Sequence, residues 1–246
     1  MNRRGGGAFD AILFDLDGTL LRVEMTEFIP RYVEGLAEYC RDHTKPKKFV
    51  RAMLGSIRDL LKNAGDGVQT NEARVCSYLH RELALPETVL RETFRQFAAN
   101  HLDSLAGMVK PIPLARKILQ ECLRQRVPLV LATNPVFPEF MIQARLRWGG
   151  LDDVPFNFLT SLENSHYCKP QVGYFRDILA HLGVAPERCL MVGNDAEQDM
   201  AASIVGMKTF LVDTWLVDGR GSAANYDCKG DHSQLQKFLQ KQFEGA

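Results

Sequence analysis

The sequence predicts an α/β protein with a parallel sheet covered by helices on both faces, interrupted by a separate all-helical segment. Apolar, strand-like runs alternate with helical patterns from Pro111 to Val212, and this alternation is typical of parallel sheets. From Arg22 to Met108 the chain is instead rich in Arg, Glu, Leu and Ala and poor in β-branched runs. That stretch predicts helices inserted after the first strand.

The first strand is predicted over Phe9–Phe14, after three glycines at residues 5–7 that suit a flexible lead-in. Pro46 and Pro86 fit the first turns of two of the helices that follow, because a first-turn N–H needs no helical partner. The inserted helices are predicted near Thr26–Arg41, Lys47–Lys62, Asn71–Leu83 and Glu87–Leu102. Together they predict a helical bundle of their own.

The remaining elements alternate in type along the chain. Strands are predicted near Val127–Ala132, Phe156–Thr160, Cys189–Val192 and Thr209–Val212, and helices near Leu114–Arg124, Pro138–Arg147, Gly173–Leu182 and Gln198–Val205. Residues 213–232 look irregular and fit either an active-site flap or a surface loop. Gln234–Phe243 predicts a closing helix.

Composition and charge exclude several classes of function. The chain has 30 basic and 30 acidic residues, and this balance argues against a broad nucleic-acid footprint or an anionic-membrane surface. Six cysteines at irregular spacing, with no CxxC pair, predict reduced thiols in a cytoplasmic protein and argue against a structural zinc site. No uncharged run approaches the roughly 20 residues that a membrane span needs. The oligomeric state is not readable from the sequence.

Polar residues recur where the predicted strands end. Asp15 and Asp17 follow the first strand, Thr133 the second, and Asp195 the fourth, while Lys169 precedes a helix. In parallel sheets, ligands bind outside the carboxyl ends of the strands. Two carboxylates two residues apart in a strand share a face, and their repulsion is costly unless a cation compensates it. We therefore expect a metal beside Asp15 and Asp17.

These residues resemble, in order, the four motifs of the haloacid dehalogenase (HAD) superfamily. Asp15-Leu-Asp17-Gly18-Thr19-Leu20 is similar to the first motif in its phosphatase form. Thr133 is similar to the second motif and Lys169, in Lys-Pro, to the third. Gly193-Asn-Asp195-Ala-Glu-Gln-Asp199 is similar to the fourth, with Asn194 inserted. The resemblance covers about residues 8–212, and the helical insert lies where this family places its C1 cap.

The resemblance implies a Rossmann-like core formed by residues 1–21 and 109–246, and a helical cap formed by residues 22–108. It also implies Mg²⁺-dependent hydrolysis of a small phosphorylated metabolite. Asp15 would be the nucleophile that forms an aspartyl-phosphate, and Asp17 the general acid and base. An acid at position 17 favours phosphoryl transfer, since the dehalogenases of the family lack it.

The other site residues follow from the same resemblance. Asp15, the backbone carbonyl of Asp17, and Asp195 would bind Mg²⁺, which prefers oxygen ligands. Thr133 and Lys169 would bind the phosphate, and Asn134 would either bind it or shape the turn before Pro135. The supporting residues would be Gly18, in the turn that leads to the cap, and Asp199, beside the metal site or Lys169.

Alternative interpretations remain open at this point. Within the family, the enzyme could be a sugar phosphomutase or a phosphonate hydrolase, and the latter needs a lysine from the cap. A non-catalytic binding module with the same fold is the alternative from another class. The basic residues Lys45, Lys47, Lys48 and Arg51 fit either a grip on an anionic substrate or a solvated helix face, and Arg22 faces either the site or solvent.

Overall fold

The computed structural model describes residues 8–219 and 225–245, and the glycines at residues 5–7 lie outside this range. Its centre is a six-stranded sheet of order β5-β4-β1-β6-β7-β8, in which every neighbouring pair is parallel. The strands are β1 (Ala11–Phe14), β4 (Leu129–Leu131), β5 (Phe158–Leu159), β6 (Cys189–Gly193), β7 (Lys208–Val212) and β8 (Cys228–Gly230). The prediction of an α/β fold with a parallel sheet is confirmed.

Each central strand packs both of its faces against helices. In β1, Ile12 and Phe14 join one apolar cluster, whereas Ala11 and Leu13 join a second cluster on the opposite face. This alternation explains why the strand reads as a continuous apolar run. The helices that cover the sheet are α5 (Pro113–Arg124), α6 (Glu139–Trp148), α7 (Val172–Leu182) and α8 (His232–Glu244), with a 3₁₀ helix at Met200–Val205.

Four helices occupy the insert: α1 (Met25–Tyr39), α2 (Pro46–Lys62), α3 (Asn71–Leu83) and α4 (Glu87–Asn100). Pro46 begins α2 as expected, but Pro86 lies one residue before α4 rather than inside its first turn. A 3₁₀ helix over Leu102–Met108 follows α4. The antiparallel strands β2 (Leu21–Val23) and β3 (Val109–Pro111), which the sequence did not predict, join the two ends of the insert.

The insert packs against the sheet-covering layer through aromatic side chains. The ring of Phe137, in the segment between β4 and α6, lies 5.8 Å from that of Phe28 and 5.4 Å from that of Tyr32 on α1. Asn71, at the start of α3, is buried and donates to the carbonyl oxygens of Pro135 (3.2 Å) and Tyr167 (3.3 Å). The insert is thereby held over the carboxyl ends of the strands.

Two further observations concern the whole of the described chain. All six cysteines are free thiols. No helix within residues 8–219 and 225–245 is long and apolar enough to cross a membrane.

Candidate active site

The turn after β1 fixes the positions of Asp15 and Asp17. The backbone N–H of Asp15 donates to the Val192 carbonyl at 2.9 Å, so Asp15 continues the pairing of β1 with β6. Gly18 has φ +87°, and a Cβ there would lie 2.2 Å from Nδ2 of Asn194. Only glycine suits both the positive φ and the close approach. Glycine at position 18 is therefore a backbone requirement of this turn.

Lys169 lies at the centre of the charged cluster. Its Nζ donates to Oδ1 of Asp15 at 2.7 Å and to Oδ1 of Asp199 at 2.6 Å, and its side chain is 2% exposed. Burial opposes the charged form of this lysine, but the two carboxylates outweigh burial and raise its pKa. Lys169 is therefore a fixed positive charge beside Asp15.

Asp195 and Asp199 are organised by the loop that follows β6. Oδ1 of Asp195 accepts from the backbone N–H groups of Glu197 (2.9 Å) and Gln198 (2.8 Å). Oδ2 of Asp199 accepts from the backbone N–H of Asp195 at 2.9 Å. Burial raises the pKa of both carboxyl groups, against the opposing effect of Lys169. Asp199 thus links Lys169 to the loop that carries Asp195.

Thr133 and Asn134 follow β4 and approach the same cluster. The carbonyl oxygen of Thr133 accepts from the hydroxyls of Thr160 (2.6 Å) and Tyr174 (2.9 Å), which hold this strand end in place. The side-chain amide of Asn134 donates to Oε1 of Gln198 at 2.7 Å. The Oδ1 atom of Asn134 accepts from the backbone N–H of Lys169 at 3.2 Å. Asn134 therefore joins three loops, and its contact with a phosphate remains a prediction.

Arg145 is a site residue that the sequence reasoning missed. It is fully buried on α6, and its Nη1 donates to Oδ2 of Asp17 at 2.7 Å. Its guanidinium carbon lies 4.5 Å from the ring centroid of Phe137 and 5.8 Å from that of Phe28. Burial raises the pKa of the Asp17 carboxyl, and the positive charge of Arg145 opposes that rise. Arg145 follows Met141 and Ile142 at helical spacing, and an arginine on an apolar face was the available signal.

The donor set fits a hard divalent cation. Four carboxyl groups, from Asp15, Asp17, Asp195 and Asp199, stand against the two cations Lys169 and Arg145, so acidic groups outnumber basic groups in the cluster. Among the described residues, no three His, Cys, Asp or Glu side chains form a metal-binding group. The binding of Mg²⁺, which prefers oxygen ligands, by Asp15, the Asp17 carbonyl and Asp195 therefore remains a prediction.

All the site residues predicted from the sequence line one cavity of about 630 Å³. They are Asp15, Asp17, Gly18, Thr133, Asn134, Lys169, Asp195 and Asp199. Arg22 and the insert supply other walls of the cavity, and Trp215, Leu216 and Val217 complete it. Val217 is tied to the site because its N–H donates to Asn194 and its carbonyl accepts from Ala196, both at 2.9 Å.

The lining of the cavity bears on two segments whose role the sequence left open, residues 213–232 and the basic group of the insert. Residues 215–217, inside the stretch that fitted either a flap or a surface loop, form part of the cavity wall. The basic group of the insert does not line this cavity. Lys47 and Arg51 instead line a separate groove that also contains Glu34 and Glu38.

A family model for haloacid dehalogenase-like hydrolases matches residues 9–204. The chain belongs to the haloacid dehalogenase-like hydrolases. The predictions that it is an enzyme, and one of this superfamily, are confirmed by that match.

Relatives of the hydrolase cover nearly its whole length. The pyrophosphatase PpaX of Anoxybacillus flavithermus is 26% identical over 221 residues, which are 89% of each chain. A structure described as a predicted phosphoglycolate phosphatase from Haemophilus somnus has a TM-score of 0.56 and 20% identity, over 95% of this chain and 99% of that one. The structure of an HAD phosphatase from Thermococcus onnurineus has a TM-score of 0.57 and 21% identity, over 94% of this chain and 97% of that one. These structures share the fold.

Proposed function

We propose that this hydrolase releases phosphate from a small phosphate monoester through an aspartyl-phosphate on Asp15, with Mg²⁺ as cofactor. The observation that carries the proposal is the placement of Lys169, which bridges Asp15 and Asp199 at 2.7 and 2.6 Å inside the cavity. A fixed cation beside a carboxylate neutralises the charge that would otherwise repel a phosphate dianion. Family membership and the likeness to PpaX support the same reaction class.

The two aspartates of the first motif divide the chemistry between them. An oxygen of Asp15 attacks phosphorus as the ester P–O bond breaks, and Asp17 gives its proton to the departing alkoxide. Asp17 then takes a proton from water, which attacks the phosphorus of the aspartyl-phosphate. That second step releases phosphate and regenerates the Asp15 carboxylate. Burial raises the pKa of the Asp17 carboxyl, which makes it a weaker acid than an exposed aspartate.

The remaining residues hold the phosphate and the cation. Thr133, Asn134 and Lys169 bind phosphate oxygens. Asp15, the Asp17 carbonyl and Asp195 hold Mg²⁺, which when bound supplies positive charge to the phosphoryl oxygens. Gly18 keeps the turn tight and Asp199 keeps Lys169 in place, a role that its 2.6 Å contact supports.

Residues 22–108 act in this proposal as the cap over a core formed by residues 1–21 and 109–246. Ile29 on α1 and Leu61 on α2 line the cavity above the carboxyl ends of the strands. A cap in that place excludes water from the reacting phosphate and selects the substrate. The six free thiols support the expected cytoplasmic location.

Two observations weigh against the alternatives within the family. A phosphonate hydrolase needs a cap lysine, but within the described residues the single lysine that lines the cavity is Lys169, which lies outside the insert. A sugar phosphomutase needs polar groups for several hydroxyls, and the polar residues that the insert contributes to the cavity lining are Arg22, Glu24 and Thr26, against five apolar ones. A binding module without activity has no use for the buried Lys169 charge, because burying it is costly.

The experiment that tests the proposal is phosphate release from a panel of phosphate monoesters, with Mg²⁺ and with chelator. We expect turnover that requires Mg²⁺ and that returns when Mg²⁺ is added to the chelated sample, because the acidic groups of the cluster outnumber its two cations. Ca²⁺, which prefers longer and more numerous oxygen contacts, is the matched control. Equal release with and without Mg²⁺, or no release from any ester by folded protein, would contradict the proposal.

A further inference from the structure

The catalytic cavity extends well beyond the space that one phosphate fills. Its volume is about 630 Å³, within the range of roughly 300–1,000 Å³ typical of sites that enclose drug-sized molecules. The second anionic group of a pyrophosphate, or the two carbons of a phosphoglycolate, would leave most of that volume to water. The size of the cavity therefore points to a larger leaving group.

Apolar side chains from several elements line the cavity. Ile29 comes from α1, Ile57 and Leu61 from α2, and Leu216 and Val217 from the segment after β7. Among the described residues, six large apolar side chains are exposed, and three of them, Leu61, Leu216 and Val217, line this one cavity. Exposed apolar groups that cluster in a pocket mark a surface that a ligand covers.

Charge in the same region is sparse and balanced. Outside the catalytic cluster, the charged residues that line the cavity in the described chain are Arg22 and Glu24, which cancel. The guanidinium carbon of Arg22 lies 5.8 Å from the ring centroid of Trp215. A second phosphate or a carboxylate would thus meet one arginine offset by a glutamate, and the basic group of the insert lines a different groove.

We propose that the substrate is a phosphate monoester of an apolar alcohol or phenol, whose alkyl or aryl body packs against the wall formed by Ile29, Leu61 and Leu216. This inference rests on the proposed function and names its substrate class. The phosphate end is fixed by Lys169 and the body by the apolar wall. Each methylene that leaves water on binding strengthens association about fourfold.

A series of n-alkyl phosphates tests the inference, because the leaving alcohols differ in length but hardly in basicity. We expect kcat/KM to rise on the order of 10²-fold from ethyl to hexyl phosphate, with glycerol phosphate, phosphoglycolate and pyrophosphate below hexyl phosphate. A flat series, or a higher kcat/KM for the charged or hydroxylated compounds, would overturn the substrate class while leaving the phosphatase proposal intact. No release from any compound would overturn both.

A pair of matched variants locates the effect in the cavity. Leu61→Asn should lower kcat/KM roughly fivefold more for hexyl phosphate than for ethyl phosphate. Val68→Asn, in the same insert but 80% exposed and outside the cavity, should change neither. Equal effects of Leu61→Asn on both esters would overturn the assignment of this wall.

A different observation carries a second inference, which concerns Arg145. This guanidinium is fully buried, and its Nε and Nη2 have no hydrogen-bond partner in the described residues. Its one ion pair joins Nη1 to Oδ2 of Asp17 at 2.7 Å. Burying an arginine so incompletely paired is costly. The sequence therefore retains this cation at a cost to stability, beside the proposed acid.

We infer that Arg145 is a positioning residue that holds Asp17 in its reactive orientation. Arg145 binds Oδ2 of Asp17, while Oδ1 is buried and has no protein partner in the described chain, so the ion pair with Arg145 sets the orientation of the Asp17 carboxyl group. The rings of Phe28 and Phe137 restrict the guanidinium from the side. A well-placed general acid contributes about 10²–10⁴-fold to the rate.

Two aryl esters of similar shape separate positioning from a merely structural role. Phenyl phosphate needs its leaving oxygen protonated, whereas p-nitrophenyl phosphate leaves as a stable phenolate. Arg145→Met should lower kcat/KM on the order of 10²-fold for phenyl phosphate and severalfold less for the nitro ester. Arg145→Lys, which keeps one donor for Asp17, should recover part of the loss.

The comparison remains decisive if the variant is partly unfolded, because both esters are measured on the same sample. Asp17→Asn should show the same preference for the nitro ester, and adding Arg145→Met to it should change that preference no further. An equal loss for the two esters in Arg145→Met would overturn the positioning role.

Discussion

Replacing Asp15 by asparagine is expected to lower phosphate release by roughly 10⁴-fold or more, because a carboxamide cannot act as the attacking nucleophile. Asparagine has the size of aspartate, and its Oδ1 can still accept from Lys169, which lies 2.7 Å from the present carboxylate. The fold should therefore persist. The measurement is the Mg²⁺-dependent release of phosphate, with circular dichroism and an unfolding curve on the same protein.

The chain offers a matched control at the other end of the same strand. Asp10 precedes β1 and pairs with Arg188 at 3.0 Å on the surface, so Asp10→Asn makes the same chemical change away from the cavity. It should retain wild-type turnover. An Asp15→Asn protein that keeps its activity would show that Asp15 is not the nucleophile. If wild type shows no turnover, and Asp15→Asn binds a phosphorylated ligand as well as wild type does, the result would favour the binding module.

Replacing Lys169 by methionine is expected to have the largest effect on stability as well as a large effect on activity. The substitution leaves the carboxylates of Asp15 and Asp199 buried without the cation that now bridges them. Removing one partner of a buried ion pair lowers the free energy of unfolding by about 3–5 kcal/mol. Loss of one fixed charge at a phosphoryl group should lower kcat by roughly 10²–10³-fold. Urea unfolding and phosphate release measure the two effects.

A second substitution separates stability from catalysis at this position. In the Lys169→Met/Asp199→Asn double variant one of the two stranded charges is gone, so part of the lost unfolding free energy should return while activity stays low. Lys229→Met, at an exposed position of β8, should leave both unchanged. A Lys169→Met protein as stable and as active as wild type would show that the buried cation is dispensable.

The parallel sheet and the positions of its longer strands along the chain could be predicted because buried parallel strands are continuous apolar runs. Ala11–Phe14 and Cys189–Gly193 are such runs, and their burial on both faces leaves no polar residue to blur the pattern. The short strands β2, β3 and β8 could not be predicted. Each has three residues, too few for a period to show, and each exists because a partner strand lies beside it.

Part of the candidate site could likewise be predicted from the sequence, and part could not. Asp15, Asp17, Thr133, Lys169 and Asp195 could be placed together because the carboxyl ends of parallel strands share one edge. Arg145 could not be placed in the site, because its burial depends on how α6 packs against Phe28 and Phe137, which lie in other parts of the chain. The cavity wall at Leu216 likewise depends on the backbone hydrogen bonds of Val217 with Asn194 and Ala196, which carry no sequence signal.

The central claim is that Asp15 carries the phosphoryl group during turnover. Rapid acid quenching of the enzyme with phenyl phosphate and Mg²⁺, followed by digestion and mass spectrometry, measures this directly. The account predicts one phosphoryl group on the peptide that contains Asp15, absent when Asp15→Asn is quenched in the same way. Steady release of phosphate with no phosphoryl group on Asp15, or with the group on another residue, would contradict it.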